Sequence, residues 1–342
     1  MSSKRSKILV VLLALCVIGA GAVFAQVQNK KFSGPADQTY YMCTFVSGVE
    51  YWVAAFEGFK DAAKQLGVKA IYQGAAEYDL NKQVTVFEQI TGKNPAGIAL
   101  SPIDDSGFVE PVKAAMGRKI PIVVFASNTS TDKVAFVTSD NVKEGQFAAR
   151  TLGKALGGKG KVMVTRNTQS NHQLRVNTFI ETIKAEFPGI QLVAEILTQQ
   201  DNNKAYAGVM STAQKHPDLG AVFSPEGPSG RGAAQAAVEL GGKIKVLCCD
   251  MDAAILEMIE KGQMFGSIQP NAYMQGYLCM MLLYLTKNQM LDPLNGTAAM
   301  GQFIMNLPYV DNGLDLINKD NAKYFYTNRW LEQRKAQAFK PW

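Results

Sequence analysis

The stretch 245–252, Lys-Val-Leu-Cys-Cys-Asp-Met-Asp, is an apolar run that stops abruptly at acidic residues, just before the helical spacing of 253–261. A short run of large apolar side chains that hands over to a helix reads as a strand of a buried parallel sheet, with Asp250 at its carboxyl end. That edge is where open α/β sheets bind ligands. One carboxylate proves nothing, so the other strand ends have to carry matching groups.

The same rhythm runs through the chain. Strand-like segments at 39–45, 68–73, 97–100, 121–125 and 134–138 alternate with helical spacing at 51–66, 80–91 and 107–116. A longer helix begins at Asp140-Asn141, reaches Leu156 and closes at Gly157-Gly158. The pattern then restarts, with strands at 161–165, 191–197, 220–223, around Val246 and at 265–268. Its helices pass through Phe179 and Ile183 and cover 205–214, 233–240, the segment from Ala253, and 273–285. Two such series predict two doubly wound parallel-sheet domains. The first is expected to span 38–140 plus about 271–300, and the second 141–270 plus part of about 301–320. Residues 303–310 read as a strand, while the aromatic-rich 322–330 shows no clear period. This last part, with 321–342 as a tail, is expected to cross between the domains and cover their hinge; a simple terminal appendage is the other reading.

Lys4, Arg5 and Lys7 precede an uncharged apolar run and then Val23-Phe24-Ala25, the layout of a signal peptide over 1–25 cleaved after Ala25. The run is at the short limit for a membrane span. Leu15 before Cys16 is bulkier than lipoprotein processing prefers. Loss of those three cations takes the net charge from +6 to +3, so basicity points to neither nucleic acid nor a membrane surface. Cys43, Cys248, Cys249 and Cys279 remain. Adjacent cysteines on a strand point to opposite faces, so these are expected to be buried and unbridged, without a disulfide framework.

The strand ends carry Glu50, Tyr51 and Trp52 after the first strand, Asp104 after the third, and Asn128 after the fourth. In the second half they carry Asn171 and Arg175, then Asn203, Glu226, Asp250 and Gln269. Facing one another across a cleft, such carboxylates, amides and guanidinium groups match hydroxyls that donate and accept at once. Flat aromatics suit the C–H face of a sugar ring. Each group also has a plainer role: Tyr51 or Trp52 could be core, Arg175 a salt-bridged surface residue, and Glu226 and Asp250 helix caps. Enzyme signatures are missing. The chain has no G-x-G-x-x-G after its first strand, no phosphate-binding G-x-x-x-x-G-K-[ST] and no G-x-S-x-G. With only His172 and His216, a histidine triad or catalytic metal is poorly supported, and no cofactor is implied.

The order of these features resembles the type I periplasmic sugar-binding proteins, the group around the ribose- and galactose-binding proteins, whose cytoplasmic relatives are the LacI-type repressors. The markers are Tyr51-Trp52 with Gly58, Ile120-Pro121-Ile122-Val123-Val124, Ser139-Asp140-Asn141, Arg175 with Phe179, Ala221-Val222-Phe223, Val246 to Asp250, and Tyr273 with Gly276-Tyr277. The resemblance implies two α/β domains joined by a multi-strand hinge, with the ligand cleft between them. It places stacking aromatics at Tyr51 and Trp52, a guanidinium contact at Arg175, and polar contacts at Glu226 and Asp250. A glutamine contact falls on Gln269, although the spacing to Gly276 leaves Pro270 or Asn271 open. Ribose binders carry Asp-Arg where this chain has Ala126-Ser127, and an aromatic where it has Cys249. Those departures argue against ribose and for another monosaccharide, a deoxy sugar or a sugar alcohol, with Asn128 and Glu50 as replacement contacts and Cys249 in the pocket wall.

The resulting expectation is a monomeric, extracytoplasmic protein, not an enzyme, that closes on a sugar or polyol and delivers it to the permease of an ABC importer. A sugar-sensing partner of a chemoreceptor or histidine kinase would have the same pocket. An exported α/β enzyme is the more distant alternative.

Overall fold

A computed structural model describes residues 35–288, 307–328 and 331–332. The 1–25 segment and most of the 321–342 tail lie outside the described residues. In the first half, β1 (Thr39–Thr44), α1 (Glu50–Leu66), β2 (Lys69–Gly74), α2 (Leu80–Gly92), β3 (Gly97–Leu100), α3 (Val109–Gly117), β4 (Ile122–Phe125) and β5 (Ala135–Thr138) follow in turn. The second half runs α4 (Asn141–Ala155), β6 (Lys159–Arg166), α5 (Ser170–Glu186), β7 (Gly189–Leu197), α6 (Asn202–Lys215), β8 (Leu219–Ser224), α7 (Gly227–Glu239), β9 (Lys245–Cys249), α8 (Ala253–Glu260) and β10 (Gly266–Pro270). Then α9 (Ala272–Lys287), β11 (Leu307–Asp311) and β12 (Leu314–Ile317) close the described fold.

Two six-stranded sheets result, in the orders β11-β5-β4-β3-β1-β2 and β12-β10-β9-β8-β6-β7. All described pairings are parallel except β10 with β12. Both sheets thus repeat one doubly wound order and direct the carboxyl ends of their strands to the same kind of edge. The chain passes between the sheets at 138–141, 270–272 and 311–314. The last pass places β11 in the first sheet and β12 in the second. Four residues are too few for strand β12 to show a period in sequence. Helix α7 begins six residues before the expected 233, because the Glu226 side chain caps it and Pro228 occupies its first turn. In sequence, Gly-Pro-Ser-Gly reads as a turn.

Each sheet is buried on both faces. Cys248 belongs to the cluster on one face of the second sheet and Cys249 to the cluster on the other, as strand alternation requires. Cys43, Cys248, Cys249 and Cys279 are buried free thiols. On the first domain, α1 and α9 cross at backbone contact: a Cβ on Gly58 would lie 1.9 Å from the Tyr273 carbonyl oxygen, and one on Gly276 only 1.7 Å from that of Ala55. Neither backbone can give way without shifting a helix. Gly276→Ala should therefore lower unfolding stability by about 1–3 kcal/mol, checked by urea denaturation; an unchanged midpoint would contradict this packing.

Candidate ligand-binding cleft

The strand ends of the two sheets enclose a cavity of about 380 Å³. That volume suits a ligand of a few ring atoms and their substituents. Its first wall is aromatic. Trp52 is buried and meets Phe45, Tyr51 and Phe125 edge to face, with ring centroids 5.2, 5.0 and 5.7 Å apart. Such a cluster fixes the indole on all sides. Tyr51 is held in turn by its hydroxyl, which donates to Gln275 Oε1 at 3.0 Å.

The second wall is organised by Arg175, which sits inside α5 yet is only 4% exposed. It reaches the cavity because Gly145 lets α4 and α5 touch: a Cβ there would stand 2.3 Å from the Arg175 carbonyl oxygen. The same approach places Glu144 against Arg175 as a fully buried ion pair. Arg175 Nε also donates to Asn141 Oδ1 at 3.0 Å, and Nη1 to the Pro225 carbonyl at 2.9 Å. Ser139 Oγ donates to the other oxygen of Glu144. The crossover Ser139-Asp140-Asn141 therefore does more than begin a helix. Burial is the strongest single influence and would make the guanidinium easier to deprotonate, but the anionic groups around it, Glu144 foremost and Asp250 among the others, together outweigh burial and hold Arg175 more firmly protonated than usual.

Asp250 ends β9 with φ +78°, a backbone state that costs a non-glycine residue energy and is found where the surroundings enforce it. Its N–H donates to Ile268 and its carbonyl accepts from Ser267 Oγ. The carboxylate accepts from the Gly227 N–H at 3.2 Å through one oxygen. Burial pushes its pKa up, opposed by Arg175. The cap of α8 is Asp252, which accepts from the Ile255 N–H at 2.8 Å and pairs with Arg231. His172 is buried beside Arg175, with Nδ1 3.1 Å from Asn167 Nδ2. Burial and then the guanidinium field keep its pKa well below the usual value, so the ring is neutral.

Of the residues expected from sequence, Glu50, Tyr51, Trp52, Asn171, Arg175 and Asp250 line this cavity. The other five do not. Asp104 caps a short turn, accepting from Ser106 Oγ and the Gly107 N–H. Asn128 and Asn203 are exposed, and Glu226 is buried beneath α7, where it accepts from the Ser229 N–H at 3.0 Å. Gln269 and Asn271 face a separate crevice with Tyr324 and Phe325, whereas Pro270 between them lines the main cavity. Alternation along the crossing strand turns Pro270 to the opposite side from its two neighbours. Cys249 is core, packed with Phe179 and Phe223, and not pocket wall. Sequence reasoning missed Phe45, Tyr78, Gln169, Arg231 and Gln275, which also line the cavity. Tyr78 stands between the conspicuous Glu77 and Asp79, and Gln275 lies inside α9, where no local pattern marks it.

Two hydrogen bonds span the cleft beside the cavity. The Ala253 N–H, at the start of α8, donates to Glu50 Oε2 at 3.0 Å, and Gln169 Nε2 donates to the Tyr78 hydroxyl. The domains are therefore in contact around an enclosed space. Residues 40–288 match the family described as periplasmic binding protein domain. The chain belongs to this family.

Among periplasmic binding proteins, it is 30% identical to the D-allose-binding periplasmic protein of Escherichia coli over 235 residues, which are 65% of this chain and 75% of that one. It is similar in structure to an arabinose-binding protein from Geobacillus stearothermophilus, with TM-score 0.80 and 33% identity over 85% of this chain and all of the other. A sugar-binding protein of a sugar ABC transporter from Bacillus halodurans gives TM-score 0.81 and 32% identity over 84% of this chain and all of that one. A further relative, 26% identical over 67% of this chain and 74% of its own, is the ribose import binding protein of Bacillus subtilis, and the family's description implies a place outside the cytoplasm. Among the described residues no group of His, Cys, Asp and Glu could hold a metal ion, and no helix is long and apolar enough to cross a membrane.

Burial raises the Glu226 carboxyl from 4.5 to about 7, partly offset by its hydrogen bonds to Ser229. The acid form is thus favoured by folding, and its contribution is full below pH 4.5 and lost as pH rises through about 7. Glu226→Gln keeps an acceptor for the cap but cannot ionise. The stability of this variant relative to the parent should rise between those pH values by on the order of 3 kcal/mol in denaturant titrations; a pH-independent difference would show that Glu226 does not titrate there.

Proposed function

We propose that this chain binds a monosaccharide or closely related polyol between its two domains and presents the closed complex to the permease of an ABC importer, after export and removal of its first 25 residues. The observation that carries this reading is the pairing of an aromatic wall around Trp52 with a second wall of fixed polar groups, Arg175 and Asp250. Ring C–H faces pack on the first, and hydroxyls donate to and accept from the second. The names of the relatives, allose- and arabinose-binding among them, support the same ligand class.

Ligand bound between the walls stabilises the closed arrangement in which Glu50 meets Ala253, and a permease that contacts both domains can discriminate that arrangement. A thermal-shift screen over pentoses, hexoses and polyols tests the class, because a ligand raises the melting temperature in proportion to the logarithm of its concentration. Calorimetry on the best ligand should then show Asp250→Ala weakening binding by about ten- to a hundredfold, the cost of leaving bound hydroxyls unpaired. An unaltered Kd would remove Asp250 from the contact set. Glu50→Ala, which loses the cross-cleft bond to α8, should raise the dissociation rate by about fivefold in stopped-flow traces while association stays near the parent rate.

A further inference from the structure

The chain crosses between the domains at 138–141, 270–272 and 311–314, and one buried side chain reaches all three crossings. Gln275, inside α9, donates from Nε2 to the Val137 carbonyl at 3.2 Å and to Asn312 Oδ1 at 3.3 Å. Val137 lies just before the first crossing, and Asn312 is in the third. Asn312 Nδ2 in turn donates to the Asn271 carbonyl, in the second, at 3.0 Å. Carbonyl oxygens only accept, so each amide is fixed one way round, and Gln275 Oε1 is left to accept from the Tyr51 hydroxyl at 3.0 Å. Gln275 and Asn312 are both buried. Two longer backbone bonds run alongside: the Asn312 N–H donates to the Thr138 carbonyl at 3.4 Å, and the Asn271 N–H to the Gly313 carbonyl at 3.3 Å.

Tyr51 is thus both a ring in the cavity wall and the outer end of a bonded chain that stops at the hinge. From this continuity we infer that Gln275 is a positioning residue that joins the cleft to the hinge. Tyr51 and the first-domain ends of the three crossings are held as one body, and a molecule that shifts the Tyr51 ring or takes its hydroxyl acts on all three crossings together. An amide is required because one end of the side chain must accept from a phenol while also donating to a carbonyl and to a second amide. A leucine at this position has no group for any of them: the Tyr51 hydroxyl and Asn312 Oδ1 lose this partner, and the Val137 carbonyl keeps only the Ala126 N–H. The inference goes beyond the sugar reading and holds whatever molecule fills the cavity.

Amide hydrogen exchange, followed by NMR on the protein without ligand, tests it. The Asn271 and Asn312 N–H groups bond from one crossing to another, so their exchange reports the hinge directly. Gln275→Leu should speed both by about tenfold or more relative to the amides of β6, inside the second sheet, whose exchange follows global stability. Tyr51→Phe keeps the ring and removes only the hydroxyl, and should speed the same two amides by about threefold against that standard. Parent rates at Asn271 and Asn312 in Gln275→Leu, relative to β6, overturn the clamp. No rise in Tyr51→Phe, whether or not Gln275→Leu folds, overturns the link from cleft to hinge. The sugar reading stands or falls separately, in the ligand screen.

Discussion

The cavity depends on one buried ion pair. Arg175 and Glu144 come from adjacent helices that touch because Gly145 has no side chain, and neither charge is exposed to solvent. A buried pair of this kind contributes little net stability, since desolvation offsets most of the attraction. Its consequence is geometric. With Nε and Nη1 committed to Glu144, Asn141 and the Pro225 carbonyl, the guanidinium plane cannot rotate, and its remaining edge is aimed before any ligand arrives. Fixed donors of that sort lose less on binding than mobile ones, and that is how a site of modest size can hold a small neutral molecule.

The same economy appears in the backbone. Ala126, Gln200 and Asp250 all line the cavity, all follow strands, and all have φ between +58° and +78°. Non-glycine residues adopt such angles at a cost, and here three are placed where a strand must stop and turn its last side chain or carbonyl into the cleft. The doubly wound order supplies the repeated strand ends, and the local backbone decides which way each end points. Asp250 illustrates the coupling: its angle brings the carboxylate to the first N–H of α7, where Glu226 already caps the helix from below.

Much of the fold was legible because its signals are local. Apolar runs ending at polar residues, helices closed by glycines such as Gly67, and the Asp140 cap each state a strand or helix boundary within a few residues. The tail was read less completely, since β12 is defined by its antiparallel pairing with β10 and not by its own four residues. At the site, Glu50, Tyr51, Trp52, Asn171, Arg175 and Asp250 line the cavity, whereas Asp104, Asn128, Asn203, Glu226 and Gln269 fall outside it. Sequence marks a strand end but not the direction of a loop side chain, and an acid there serves equally as a cap. Gln275 and Tyr78 went unnoticed for the complementary reason: their neighbours in the cavity come from distant parts of the chain.

Sequence by itself determined that this chain alternates strands and helices in two series, that its four later cysteines would be buried and unbridged, and that polar groups would gather at the carboxyl ends of the strands. Those properties follow from hydrophobic periodicity and from the parallel-sheet rule, both of which act over short stretches. Tertiary structure alone decided that Arg175 is a buried anchor instead of a surface charge, that Cys249 is core, and that Pro270 and not Gln269 faces the cavity. Each of these depends on which helices approach within backbone contact and on which partners consume a polar group, and both are set by residues far apart in the chain.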